Sequence, residues 1–169
     1  RAVLAQMAAI EGREVTYWGT VTGRPLPEPD RANMRWSAEQ LHPEFQLLLA
    51  RWPGTLRVPI EGLGDTLFCH GTPRSETEVF TRQTSEERLL PYFEPLGASL
   101  VVCGHTHMQF DRMVGATRVV NAGSIGNPHG EPGACWLVLG PGVELRRTHY
   151  DLERAAARIR DTAYPQARE

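Results

Sequence analysis

Three short segments hold the residues best suited to chemistry: Phe68-Cys69-His70-Gly71-Thr72-Pro73, Val101-Val102-Cys103-Gly104-His105-Thr106-His107 and Val119-Val120-Asn121-Ala122-Gly123-Ser124-Ile125-Gly126. Each begins apolar and ends in glycine beside polar side chains. That is the pattern of a buried strand delivering a loop to the ligand-binding edge of an α/β sheet. His105 and His107 stand two residues apart, so an extended backbone would aim both imidazoles to one side, where one metal centre can use both. A single histidine after a strand is commonly a hydrogen-bonded surface or core residue, and His70 taken alone reads that way. The His-Thr-His pair, preceded by four apolar residues and a glycine, is costlier to explain by packing, because buried imidazoles need partners and metals are a common one.

The elements that must position these loops are legible on either side. Thr55 to Ile60 and Thr66 to His70 are β-prone runs joined by Glu61-Gly62-Leu63-Gly64-Asp65, hairpin chemistry in which Asp65 is a turn residue. Thr84 and Glu87 can cap a helix whose apolar side is Leu89, Leu90 and Phe93, with Gly97 just past its end. Ser99 to Cys103, Gln109 to Val114, Thr117 to Asn121, Ala134 to Leu139 and Val143 to Tyr150 read as strands, and Asp151 caps a closing Ala/Arg helix. Further upstream, Val3, Leu4, Met7, Ala8 and Ile10 recur at helical spacing over the first eleven residues. Gly19 to Asp30, with Pro25, Pro27 and Pro29, reads as an exposed loop. Ser37 with Gln40 signals a capping box ahead of Leu41, Phe45, Leu48 and Leu49, with Pro43 in the first turn. The order predicts α/β layers around a mixed sheet, in a single domain over residues 1–169.

Composition excludes several classes of function. Eighteen basic and twenty acidic residues give a formal net charge of -2, which leaves no global positive field for a nucleic-acid backbone or an anionic membrane. No run approaches the roughly 20 apolar residues of a membrane span, and the opening residues lack the apolar stretch of a secretion signal. Cys69, Cys103 and Cys135 form no C-x-x-C pair and sit in apolar runs, as reduced core thiols do. A soluble, cytoplasmic protein is expected. Every basic residue is arginine, a bias of codon usage with no functional weight.

His70-Gly71-Thr72-Pro73, Gly104-His105-Thr106-His107 and Asn121-Ala122-Gly123-Ser124-Ile125-Gly126 resemble, in order and in strand context, the last three blocks of the calcineurin-like metallophosphoesterase family, nearest its small bacterial phosphodiesterases. The strand Ala134-Cys135-Trp136-Leu137-Val138-Leu139 is similar to the one that follows the last block there. The resemblance covers about Arg35 to Tyr150. It implies a layered α/β/β/α sandwich of mixed sheets, two divalent ions (Mn, Fe, Ni, Zn or Mg), and a small phosphoester as substrate, either a phosphodiester or a phosphate monoester. By the same resemblance, His70 and His105 hold one ion and His107 the other, while an aspartate bridges the pair and a metal-bound water attacks phosphorus. Gly123 and Ser124 belong to a turn whose backbone N–H groups can steady the loop or face an anion. His129 and Arg112 follow the blocks closely enough to touch substrate, with His129 a candidate phosphate or loop contact, while a solvated loop position is the plainer account of each.

The family's upstream Asp-x-His, Gly-Asp and Gly-Asn-His blocks have no counterpart. Asp30, Asp65, Asp111, Asp151 and Asp161 are not followed by histidine two residues later. Leu63-Gly64-Asp65-Thr66 and Gly126-Asn127-Pro128-His129 only imitate the missing blocks, in the wrong places. The expectation is therefore the C-terminal portion of a metallophosphoesterase domain, without its N-terminal strands, whose open strand edges favour instability or homo-oligomerisation. Three imidazoles alone can still hold one Zn²⁺ with an open position. Two alternatives compete. A serine-hydrolase elbow at Ser124 needs a helix directly after it, which Pro128 and Pro132 block. A non-catalytic binding scaffold on the same fold is the alternative function.

Overall fold

In the computed structural model, which describes residues 28–168, the chain runs through α1 (Glu28–Glu39), α2 (Pro43–Ala50), β1 (Thr55–Ile60), β2 (Gly64–Cys69), α3 (Glu86–Phe93), a 3₁₀ turn (Glu94–Leu96), β3 (Leu100–Cys103), β4 (Phe110–Val114), β5 (Thr117–Asn121), β6 (Ala134–Leu139), β7 (Val143–Thr148) and α4 (Leu152–Arg160). The sites lie in the compact unit Gly54–Tyr150; a second unit takes in the described residues 28–53 and 151–168.

In the first unit the three chemistry-bearing runs stand next to one another. A five-stranded sheet has the order β1-β2-β3-β5-β4. β2, β3 and β5 are parallel, and antiparallel β1 and β4 close the two edges. The parallel strands are apolar because both faces are covered. Against one face pack Phe80, Leu89, Phe93 and Ala98, meeting Leu67, Val101, Cys103, Phe110, Val114 and Val119. The other face, Leu100, Val102 and Val120, is covered by Leu137, Leu139 and Val143, which belong to the separate antiparallel ribbon β6-β7. Val101, Val119 and Val120 are wholly inaccessible to solvent. At the β4 edge, Arg118 donates two hydrogen bonds to the Asp111 carboxylate, 2.9 and 2.6 Å long.

Several boundaries differ from the sequence expectation for definable reasons. β2 begins at Gly64, so the hairpin turn is shorter and Asp65 is a strand residue whose carboxylate accepts from Arg57. α3 starts at Glu86 after Ser85, because the Thr84 hydroxyl is already occupied in accepting the Thr81 N–H, at 3.0 Å. Gly97 ends the segment in the left-handed conformation, as expected. Ser37 lies inside α1 rather than capping a later helix. Pro43 opens α2, the position where a missing N–H costs nothing. The proline loop ends earlier than expected, since residues 28–30 are already helical with Glu28 paired to Arg31 and Arg35; its remaining residues, and the expected helix over residues 1–11, lie outside the described residues. β7 stops at Thr148, and Asp151 does cap α4, accepting the Arg154 N–H at 2.9 Å.

In the second unit, Trp36 meets Tyr164 edge to face, with ring centroids 5.4 Å apart. Among the described residues no helix is long and apolar enough to cross a membrane.

The packing predicts an unequal response to truncation. Leu89 is fully buried, so Leu89→Ala should cost about 2–5 kcal/mol. Met113, 53% exposed on the outer strand β4, should change stability by less than about 0.5 kcal/mol on mutation to alanine. Urea unfolding of both variants measures the contrast.

Candidate metal centre

The loops after β2, β3 and β5 leave the same end of the sheet and are joined by main-chain bonds that prolong the parallel ladder. The Gly104 N–H donates to the His70 carbonyl at 2.9 Å, and the Ala122 N–H to the Cys103 carbonyl at 3.0 Å. His70 and His105 are thereby held side by side although 35 residues separate them. The His70 Nε2 and His105 Nδ1 atoms are 3.3 Å apart, and the ring centroids 5.0 Å.

The His105–His107 stretch is not extended, contrary to the geometry assumed from the sequence. Both histidines have left-handed backbones, with φ of 59° and 56°, and the Thr106 N–H turns back to the Gly104 carbonyl at 2.7 Å. Such a conformation costs a side-chain-bearing residue about 1–2 kcal/mol, so neighbours must hold it. One is Asn127, whose carbonyl lies 2.9 Å from His107 Nδ1. A carbonyl only accepts, so Nδ1 carries the proton, and in the neutral ring Nε2 presents its lone pair. This is the orientation device typical of metal-binding imidazoles. The His129 N–H donates to the His107 carbonyl at 3.0 Å, and the two rings stand 5.9 Å apart.

A further holding residue is Asn121, which the sequence alone does not single out as a side chain in its own right. It ends β5 and is 1% exposed. Its Nδ2 donates to the Gly104 carbonyl at 2.5 Å and the Thr106 hydroxyl at 3.1 Å, and its Oδ1 accepts the Gly123 N–H at 2.9 Å. The available signal was an amide closing an otherwise apolar strand, because a buried amide must find partners.

The His70 loop is held by its own network. Thr72, 2% exposed, donates to Glu78 Oε2 at 2.6 Å, Arg74 pairs with the same carboxylate, and the Arg74 guanidinium lies 3.7 Å above the Tyr92 ring of α3. Gly71 has no room for a side chain: a Cβ there would sit 2.8 Å from the Ser75 carbonyl oxygen. Cys69 turns from His70 into the core, as strand alternation requires, and burial pushes its thiol up to about 12.

Donor chemistry suits the His70–His105 pair to a divalent ion. Two imidazole nitrogens bound tetrahedrally to one ion at about 2.0–2.1 Å stand roughly 3.3 Å apart, the separation found here. Burial, followed by repulsion from His105 and His107, lowers the His70 pKa, which favours the neutral ring that metals require. His107 is close enough to contribute to that repulsion, yet its ring is tethered to Asn127. Among the described residues no group of three or more His, Cys, Asp or Glu side chains converges on a single ion position. The described residues therefore fit one ion at the pair and contain no carboxylate to bridge two.

The remaining candidates have local roles. The Ser124 hydroxyl accepts the Asn127 N–H at 3.0 Å, closing the turn that carries His107's partner. No helix directly follows Ser124, so the serine-elbow geometry is absent. Gly123 has a φ of 79°, and a Cβ there would meet the Cys135 Cβ at 2.6 Å. Arg112 is no solvated loop residue: it lies on β4 and donates to the Arg82 and Thr84 carbonyls at 3.0 and 2.7 Å, pinning the approach to α3.

This loop arrangement on a mixed sheet coincides with a family match. The model of the calcineurin-like phosphoesterase superfamily domain matches residues 33–140. The chain belongs to that superfamily. Two solved structures share its fold. One is a hypothetical protein of Pyrococcus horikoshii, with a TM-score of 0.69, 21% identity, and coverage of 80% of this chain and 56% of that one. The other is a metallophosphoesterase of Sphaerobacter thermophilus, with a TM-score of 0.62, 19% identity, and coverage of 79% and 64%. The chain thus spans between half and two thirds of the length of these phosphoesterase-fold structures. No curated protein matches it.

Two outcomes are expected of the loop supports. Gly123→Ala should cost at least about 1–3 kcal/mol, from overpacking against Cys135 together with the left-handed backbone, read by thermal unfolding. Hydrogen bonding from Arg74, then from Thr72, holds the Glu78 carboxyl below its ordinary 4.5. A lowered folded-state pKa adds stability that is complete above the unfolded value and fades as pH falls through the folded one. Wild type should therefore be more stable than Glu78→Gln at neutral pH, and the difference should shrink once pH drops below about 4.5.

Proposed function

We propose that this chain contributes to metal-dependent hydrolysis of phosphoesters, with His70 and His105 holding one divalent ion and His107 a second. The facing ring nitrogens of His70 and His105, 3.3 Å apart, carry the reading. The tether from His107 to the Asn127 carbonyl supports giving His107 to a separate ion. Borderline divalent ions, Mn, Fe, Ni or Zn, suit imidazole donors, and Mg suits the oxygen ligands that complete such sites. Bound there, these ions would polarise a phosphoryl oxygen and lower the pKa of coordinated water.

This chain's own residues supply neutral imidazole donors and a stiff frame for them. The Thr72–Glu78–Arg74 network positions the His70 loop, and the Ser124–Asn127 turn holds the carbonyl that orients His107. His129, exposed beside His107, is placed to meet one edge of a bound phosphoryl group. The Gly123 N–H is committed to Asn121, which favours a loop-bracing role for Gly123 and Ser124 over anion binding. The bridging carboxylate and the remaining ligands belong to the family's upstream blocks, so the chain corresponds to the later portion of a metallophosphoesterase domain. The substrate is a small phosphoester, since a net charge of -2 does not favour a nucleic-acid backbone. Three free cysteines are consistent with a reducing, cytoplasmic setting.

Elemental analysis of the purified chain for Mn, Fe, Ni and Zn, with hydrolysis of bis(p-nitrophenyl) phosphate and p-nitrophenyl phosphate with and without Mn²⁺, tests the reading. Bound metal that falls at least about tenfold in affinity in His105→Ala supports it. Metal-free wild type without metal-stimulated turnover overturns it in favour of a non-catalytic binding scaffold.

A further inference from the structure

We propose that Asn121 is a positioning residue for the metal ligands, setting where the His105 and His107 rings stand through hydrogen bonds to the backbone just before His105 and to the hydroxyl between the two histidines. This deepens the phosphoesterase reading and rests on it. The Asn121 amide spends both N–H groups on the loop that carries the histidines, one on the Gly104 carbonyl immediately before His105 and one on the Thr106 hydroxyl between the pair. Its oxygen takes the Gly123 N–H at the start of the next loop. One side chain therefore ties the histidine loop to the turn whose Asn127 carbonyl orients His107.

The rest of the geometry gives this a purpose beyond filling the core. His105 and His107 both hold left-handed backbones, and the Thr106 N–H turns back to the Gly104 carbonyl at 2.7 Å. With Gly104 and Thr106 clamped, His105 between them and His107 directly after Thr106 have little freedom. Released, the backbone would relax toward φ below zero and carry both rings away. Because Asn121 is 1% exposed, water does not readily replace the bonds it makes. It touches no ring nitrogen, so it acts through the ligands.

Asn121→Asp keeps the size and the acceptor for Gly123 but removes both donors. Thr106→Val deletes one acceptor without burying a charge, and serves if the aspartate variant does not fold. The long-range ¹H–¹⁵N imidazole spectrum of the metal-free 169-residue chain reports ring environment, and Co²⁺ titration followed by visible absorption reports ligand geometry. Expected are shifted His105 and His107 ring resonances with His42 and His149 unmoved, and Co²⁺ affinity lowered about tenfold or more in Asn121→Asp, less in Thr106→Val. Unchanged ring resonances and Co²⁺ affinity in the folded variants, with only the melting temperature lowered, would reduce Asn121 to a core residue and overturn the proposal. Wild type that takes no Co²⁺ sinks the phosphoesterase reading instead, and the ring resonances still decide whether Asn121 sets the loop.

Discussion

Parallel pairing of β2, β3 and β5 is the constraint on which the rest depends. Strands that run the same way release their loops at the same end of the sheet, so residues far apart in the chain arrive at one place. Here the pairing continues one bond past each strand, from Gly104 to His70 and from Ala122 to Cys103. Those two bonds place the His70 and His105 rings in contact and put the Gly123 turn beside them. Shifting the β2–β3 register by one residue would turn the core side chains of β2 to the wrong face and separate the histidines.

The sheet can serve this purpose because both faces are sealed. α3 with Phe80 covers one side, and the β6-β7 ribbon covers the other. Burial makes the strands stiff and leaves their backbone groups no partner but each other. The loops beyond them are held by polar side chains instead: Asn121 for the His105–His107 loop, Thr72 and Glu78 for the His70 loop, Ser124 for the final turn. Asn121 sits at a strand end and Thr72 and Ser124 a few residues past one, where the ladder stops supplying hydrogen bonds.

Much of this was legible in the residues. The strands β1, β5 and β6 fall where the apolar runs place them, and Asp151 caps the last helix as its type and position require. Three glycine-punctuated blocks in order were enough to point to the family. Less legible were the local contests. Ser37 looked like a cap but is enclosed by a helix supported by the Glu28–Arg31 and Glu28–Arg35 pairs. Asp65 looked like a turn residue but is held in the strand by Arg57 from across the hairpin. For Asp65, a partner eight residues away outweighed the residue's own preference.

The sequence by itself determined the donor types, the strands that carry them and the order of the blocks, because residue chemistry and hydrophobic period are local properties. Only the tertiary structure decided which imidazoles meet. His70 pairs with His105 across adjacent strands, while His107, two residues along, turns to Asn127. The alternation expected of an extended chain does not apply past the end of β3. There the backbone leaves the sheet, and hydrogen bonds from other strands, rather than the pleat, determine where each ring points.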